Sequence, residues 1–187
     1  MMEPPQTAIG EYSAEERSEM LRWAREAVSA AVLGEALGTG APTEHLGERR
    51  GAFTSLHTNR KLRGCIGFVE PLYPLWQTVY ETARAAATQD PRFLPIGADE
   101  LTHLAVEISV ISALRPIEPC EVEVGKHGLL ISRGNRRGLL LPQVAAGAGW
   151  TAEEFLAQTC IKAGLPPDTW RAGAKVEAFT AEVFGEE

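Results

Sequence analysis

The chain has 187 residues, 44% of them hydrophobic and 23% charged, with a net charge of −7. That is ordinary globular composition, sufficient for one domain with a real core. The acidic balance argues against non-specific binding to nucleic acid or to an anionic membrane, both of which require a basic field. Cys65, Cys120 and Cys160 are far apart and odd in number. No C-x-x-C pair is present, so neither a disulfide framework nor a structural zinc or iron–sulfur site is expected, and the predicted metal and cofactor complement is none. Met1-Met2-Glu3-Pro4-Pro5 has no basic segment followed by an apolar one, and no apolar run reaches membrane-spanning length. The expectation is a cytoplasmic protein with reduced thiols.

Residues 1–12 read as a flexible tail. Ser13 opens a helix, with Glu16 completing a capping box. Met20, Ala24, Ala27, Val28 and Val32 follow at helical spacing, and Gly38, Gly40 and Pro42 are the predicted stop. Residues 51–57 and 61–69 form a predicted hairpin turning at Thr58-Asn59-Arg60, since Asn tolerates the left-handed region. A second helix is expected over 74–88, begun by Pro74 and stopped by Asp90-Pro91. Leu104 to Leu114 reads as a strand, with Val106, Ile108 and Val110 on one face and Glu107 and Ser109 on the other. Short strands are predicted at Val122–Val124, Leu129–Ser132 and Leu139–Leu141. Thr151 and Glu154 form a second capping box, for a helix to Ala163 closed by Gly164 and Pro166. Val176 to Phe184 is the last predicted strand. Helices alternating with hairpins predict an α+β fold, its mostly antiparallel sheet packed with helices.

The chemistry concentrates at Leu62-Arg63-Gly64-Cys65-Ile66-Gly67. On a strand, Leu62, Gly64, Ile66 and Phe68 share one face, read as the core face, and Arg63, Cys65 and Gly67 share the other. A cation beside a cysteine favours the thiolate, and the glycines let a ligand approach the main chain. The same residues also fit plain packing, because a free cysteine is often a small buried side chain. His127, bracketed by Lys126 and Gly128, is a candidate base or ligand, or an ordinary hydrogen-bonded histidine. Lys126 is a candidate anion anchor or a solvated lysine. Glu107 on a covered face would need a partner, Arg63 or Arg92. Asp90-Pro91-Arg92-Phe93 is a helix stop or an Asp–Arg pair at a cleft rim. His57 is near the site or merely exposed. Cys, His and carboxylate together are the residue types of covalent catalysis, but nothing in their spacing brings them together.

These residues resemble the AMMECR family. The hexapeptide matches the family hallmark. The likeness continues through Asp90-Pro91-Arg92-Phe93, Val106-Glu107-Ile108-Ser109-Val110, Gly125-Lys126-His127-Gly128-Leu129, Gly138 to Ala145, Glu154-Phe155-Leu156, and Cys160 to Leu165 with Trp170. Leu94 is a small departure, where the family usually carries proline or a similar residue. The resemblance covers roughly residues 13–184. It implies a single domain over 13–187 with a larger and a smaller lobe and a cleft lined by the hexapeptide. It also implies an uncharacterised function in a pathway shared with Memo-like and radical-SAM proteins. The site expected from it has Cys65 and His127 as catalytic candidates, with Arg63, Gly64, Gly67, Lys126, Glu107 and Arg92 binding a small anionic ligand. The alternative is a non-catalytic binding or scaffold protein for such partners. Nucleic-acid binding is disfavoured by the charge.

Overall fold

The computed structural model describes residues 10–35 and 42–186. In chain order the helices and strands are α1 (Ala14–Leu33), β1 (Gly51–Thr58), β2 (Lys61–Phe68), α2 (Leu75–Thr88), β3 (Leu104–Ile111), β4 (Arg115–Pro116), β5 (Gly128–Arg133), β6 (Arg136–Leu140), α3 (Pro142–Ala148), α4 (Ala152–Lys162), β7 (Lys175–Phe179) and β8 (Ala181–Gly185). The fold is α+β, with mostly antiparallel sheets packed against helices. The chain divides into two compact units, residues 1–110 with 182–187, and residues 111–181.

The first unit is built on a four-stranded sheet in the order β2-β1-β3-β8. Its core joins Met20, Trp23 and Ala27 of α1 to Leu75, Val79 and Ala83 of α2 and to Ala52, Leu56, Val106 and Ile108 of the sheet. The alanine face of α2 is what allows close contact with the strands. Thr54 and Thr82, both fully buried, satisfy each other across this contact at 2.8 Å. Ser13 and Glu16 form the expected capping box. The helix stops earlier than the sequence implies, at Gly34, whose φ of 72° lies in the left-handed region where glycine carries no steric penalty. Gly38 and Gly40 lie outside the described residues. Of the expected tail, residues 1–9 also lie outside them. Tyr12, by contrast, is only 3% exposed, with its ring stacked 4.8 Å from that of His45.

The second unit carries a second four-stranded sheet, in the order β4-β7-β5-β6. Leu129, Ile131, Val176 and Ala178 of the strands pack with Phe155, Leu156 and Cys160 of α4. Thr151 and Glu154 cap α4 reciprocally, as expected. Three expectations are corrected here. Val122–Val124 is not a strand: it follows a 3-10 turn at Pro119–Glu121 and pairs with nothing in the sheet. Residues 142–148 form α3, which was not anticipated although Pro142 stands at its first turn. The predicted final strand is two, β7 and β8, placed in different sheets.

Candidate functional site

The hexapeptide lies in β2, at the edge of the first sheet. β2 pairs antiparallel with β1, and the register slips once: Leu56 faces Gly64 while its neighbour His57 faces Leu62. Arg63 is therefore the extra residue of a β-bulge, and beyond it the alternation inverts. Gly64 keeps the predicted face. A methyl there would sit 2.2 Å from the Ala86 carbonyl oxygen of α2, so the helix can lie this close only on glycine. Ile66 packs on the core as expected. Leu62 does not. Paired with His57 on the opposite face, it is 40% exposed, which corrects its placement in the core.

The backbone of Cys65 is fixed from outside the sheet. Its N–H donates to Asp90 Oδ2 at 2.8 Å, and its carbonyl accepts from the Arg92 guanidinium at 3.2 Å. The Asp90 carboxylate also receives the Arg92 backbone N–H and two guanidinium N–H groups, at 2.7 to 3.1 Å. Its side chain is 2% exposed whereas that of Arg92 is 53% exposed. The Arg92 hydrogen bonds, supported by the Cys65 N–H and opposed by burial, hold this carboxyl well below the usual carboxylate range. Asp90 and Arg92 thus form a clip that satisfies an edge strand where it would otherwise offer free backbone groups.

The Cys65 thiol is half-buried and lies opposite Ser55, whose hydroxyl donates to Sγ at 3.2 Å. Arg63, the cation expected beside it, is committed elsewhere. Its guanidinium binds Glu100 at 2.8 and 2.9 Å and the carbonyls of Leu94 and Pro95 at 2.7 and 3.3 Å. Arg92 is the guanidinium that reaches Cys65. With Arg63 held by Glu100 and Arg92 by Asp90, neither is the partner expected for Glu107. Among the described residues that carboxylate has no ion pair, and it lines a cavity with His57 and His103. Gly67 lies opposite Phe53, whose ring occupies the space a side chain there would need.

Lys126 and His127 belong to the second unit. Lys126 is exposed and pairs with Glu123 at 2.7 Å. His127 is 2% exposed. Its Nδ1 accepts the Glu123 N–H at 3.1 Å, and Nε2 lies 3.3 Å from the Arg115 guanidinium. Burial lowers its pKa, with Glu123 opposing. Nδ1 can accept the Glu123 N–H only when it is unprotonated, and the Arg115 charge opposes a second cation beside it, so this environment favours the neutral imidazole.

Cys120 is exposed. Cys160 is sealed in the second core, where burial pushes its thiol pKa up. The described residues bring one group of potential metal donors together: Glu11, His45 and Glu48, whose atoms lie within 4.8 Å of one another. Arg50 already bonds Glu11 and, at 3.4 Å, Glu48, so a cation fills that role. Sequence reading missed Ser55, Glu100 and the bond from Cys65 to Asp90. Only strand register and loop placement bring these together. The Asp90-Pro91-Arg92 motif was visible, but its partner was not.

A family model described as AMMECR1 matches residues 21–184. A Methanocaldococcus jannaschii protein is 42% identical over 182 residues, covering 92% of this chain and 90% of its own. A Thermococcus gammatolerans protein is 49% identical over 154 residues, 76% of this chain and 75% of the relative. The crystal structure of an uncharacterised protein from Pyrococcus horikoshii superimposes with a TM-score of 0.90 at 40% identity, over 95% of each chain. Among the described residues, no helix is long and apolar enough to cross a membrane. A family model spanning most of the chain, and a relative 42% identical over 90% of its own length, place the chain in the AMMECR1 family.

Proposed function

We propose that this protein is an enzyme component whose working surface is the face of the first sheet turned away from α2, with the Cys65 thiol as its reactive group. One observation carries the reading: Cys65 is only half-buried, with its backbone held by Asp90 and Arg92 and its sulfur by the Ser55 hydroxyl. A hydroxyl donor and a nearby guanidinium are what a thiolate keeps as partners. Of the cations expected to bind an anionic group, Arg63, Lys126 and Arg92, it is Arg92, half-exposed and bonded to the Cys65 carbonyl, that serves as the anchor. His127 serves here as a buried structural group and not as the base. The setting we propose is a pathway with Memo-like and radical-SAM proteins in the cytoplasm.

The test is the alkylation rate of Cys65 by iodoacetamide against pH, in a Cys120→Ser background that removes the exposed competing thiol. The expected rate at pH 7 is about tenfold above that of free cysteine, falling several-fold in Ser55→Ala. A rate no faster than free cysteine and indifferent to Ser55→Ala removes the chemistry. The second reading, a docking protein without chemistry, is favoured by Leu94 at 82% exposure and Leu62 at 40% on the loop and strand that Arg63 ties together. Partner capture that is lost in Leu94→Asp and kept in Cys65→Ser would establish it.

A further inference from the structure

A cavity of about 530 Å³ opens in the first unit, lined in part by His57, Asn59, Arg60, His103, Glu107 and Glu186. That volume is within the range of small-ligand sites, about 300–1,000 Å³. It lies on the face that carries Cys65: Ser55 and His57 are two residues apart on β1, or about 7 Å along the strand.

The charges around it do not cancel internally. Glu186 is already neutralised, because its carboxylate binds the Arg25 guanidinium and accepts the Val106 N–H at 2.9 Å. Arg60 and Glu107 have no ion pair among the described residues. The cavity therefore presents one open cation, one open carboxylate and two imidazoles. The backbone at its rim is costly. The hairpin turns on Asn59 and Arg60 with φ of 52° and 62°, a two-residue turn in which glycine is the favoured second residue. An arginine held in the left-handed region here places a guanidinium at the cavity where the turn alone would prefer glycine.

We infer that this cavity binds a small zwitterion, its carboxylate received by Arg60 with the imidazoles and its ammonium by Glu107. This is the chemistry of an α-amino acid or of a short peptide with free termini. The inference stands apart from the thiol reading, because binding is read at the cavity and needs no reactive Cys65.

The experiment is an amide NMR titration of the isotopically labelled full chain with L-alanine and with the dipeptide dialanine. Saturable shifts at His57, Arg60, Glu107 and Gly185 are expected, and the tighter of the two probes identifies the source. Acetylating the amine or amidating the carboxylate of the probe should each weaken binding at least tenfold. Arg60→Gly should weaken binding at least tenfold while raising the melting temperature, since glycine suits the turn. Glu107→Gln should weaken it comparably, with no change in fold. The inference is overturned by an absence of saturable shifts with both probes, by equal binding of the blocked dipeptides, or by undiminished binding in Arg60→Gly.

Discussion

Asp90→Ala tests the clip on the hexapeptide strand. The substitution removes the acceptor of the Cys65 N–H and the counter-ion of Arg92 in one step. An edge-strand N–H left without a partner in a half-buried setting costs about 1–3 kcal/mol. Arg92 returns to solvent, so its lost pair adds no more than about 1 kcal/mol. The total is about 1–4 kcal/mol in the first unit, or roughly 2–16 °C in melting temperature for a chain of this size. The assay is urea unfolding followed by circular dichroism, with hydrogen exchange at the Cys65 amide reporting on the site itself. A loss under about 0.5 kcal/mol, or unchanged protection of that amide, refutes the account of the clip. The linkage has a definite sign. The folded Asp90 pKa lies below its unfolded value, so its contribution is present above about pH 4 and lost as pH falls below that. In Asp90→Ala the acid limb of the stability curve should flatten.

Gly64→Ala drives a methyl against the Ala86 carbonyl, a backbone atom that cannot rotate away. It should cost about 1–3 kcal/mol, measured by urea unfolding, and a neutral result would mean that α2 can shift. His127 has its pKa lowered by burial, so the unfolded chain takes up its proton first. Stability of the second unit should therefore be full above about pH 6.5 and decline as pH falls, and His127→Gln should remove that slope. An unchanged slope would assign it to other groups. Glu100→Gln leaves Arg63 with the two loop carbonyls but without its charge partner. Both side chains are partly exposed, so a loss of only about 1 kcal/mol is expected from thermal melts. A loss above about 3 kcal/mol would show Arg63 to be a central support.

The two mutually satisfied pairs beside the hexapeptide, Arg63 with Glu100 and Asp90 with Arg92, bear on how the motif works. Both guanidiniums were expected at a ligand. One is spent anchoring the loop after α2, and the other divides between the strand and solvent. The motif thus combines architecture with presentation: Gly64 admits the helix, Arg63 ties down the loop, and Cys65 is the side chain left facing outward with Ser55.

What the chain states locally, it determines by itself. The capping boxes at Ser13–Glu16 and Thr151–Glu154, the hairpin turn at Asn59-Arg60, the proline boundaries of α2 and the two faces of β3 need only neighbours a few residues away, and all were legible. The family was legible too, because its motifs are contiguous. What tertiary structure decided involves partners distant in sequence. One apolar run, Val176 to Phe184, became two strands because two different sheets take up its backbone. Leu62 left the core because one extra residue at Arg63 shifted the register against β1, and a one-residue slip exchanges the faces of a strand. The same slip, together with the loop that brings Asp90 back to the edge, determines that Arg92 and Ser55, not Arg63, accompany Cys65. Side-chain alternation is a property of one strand, but register is a property of two, and only the folded chain sets it.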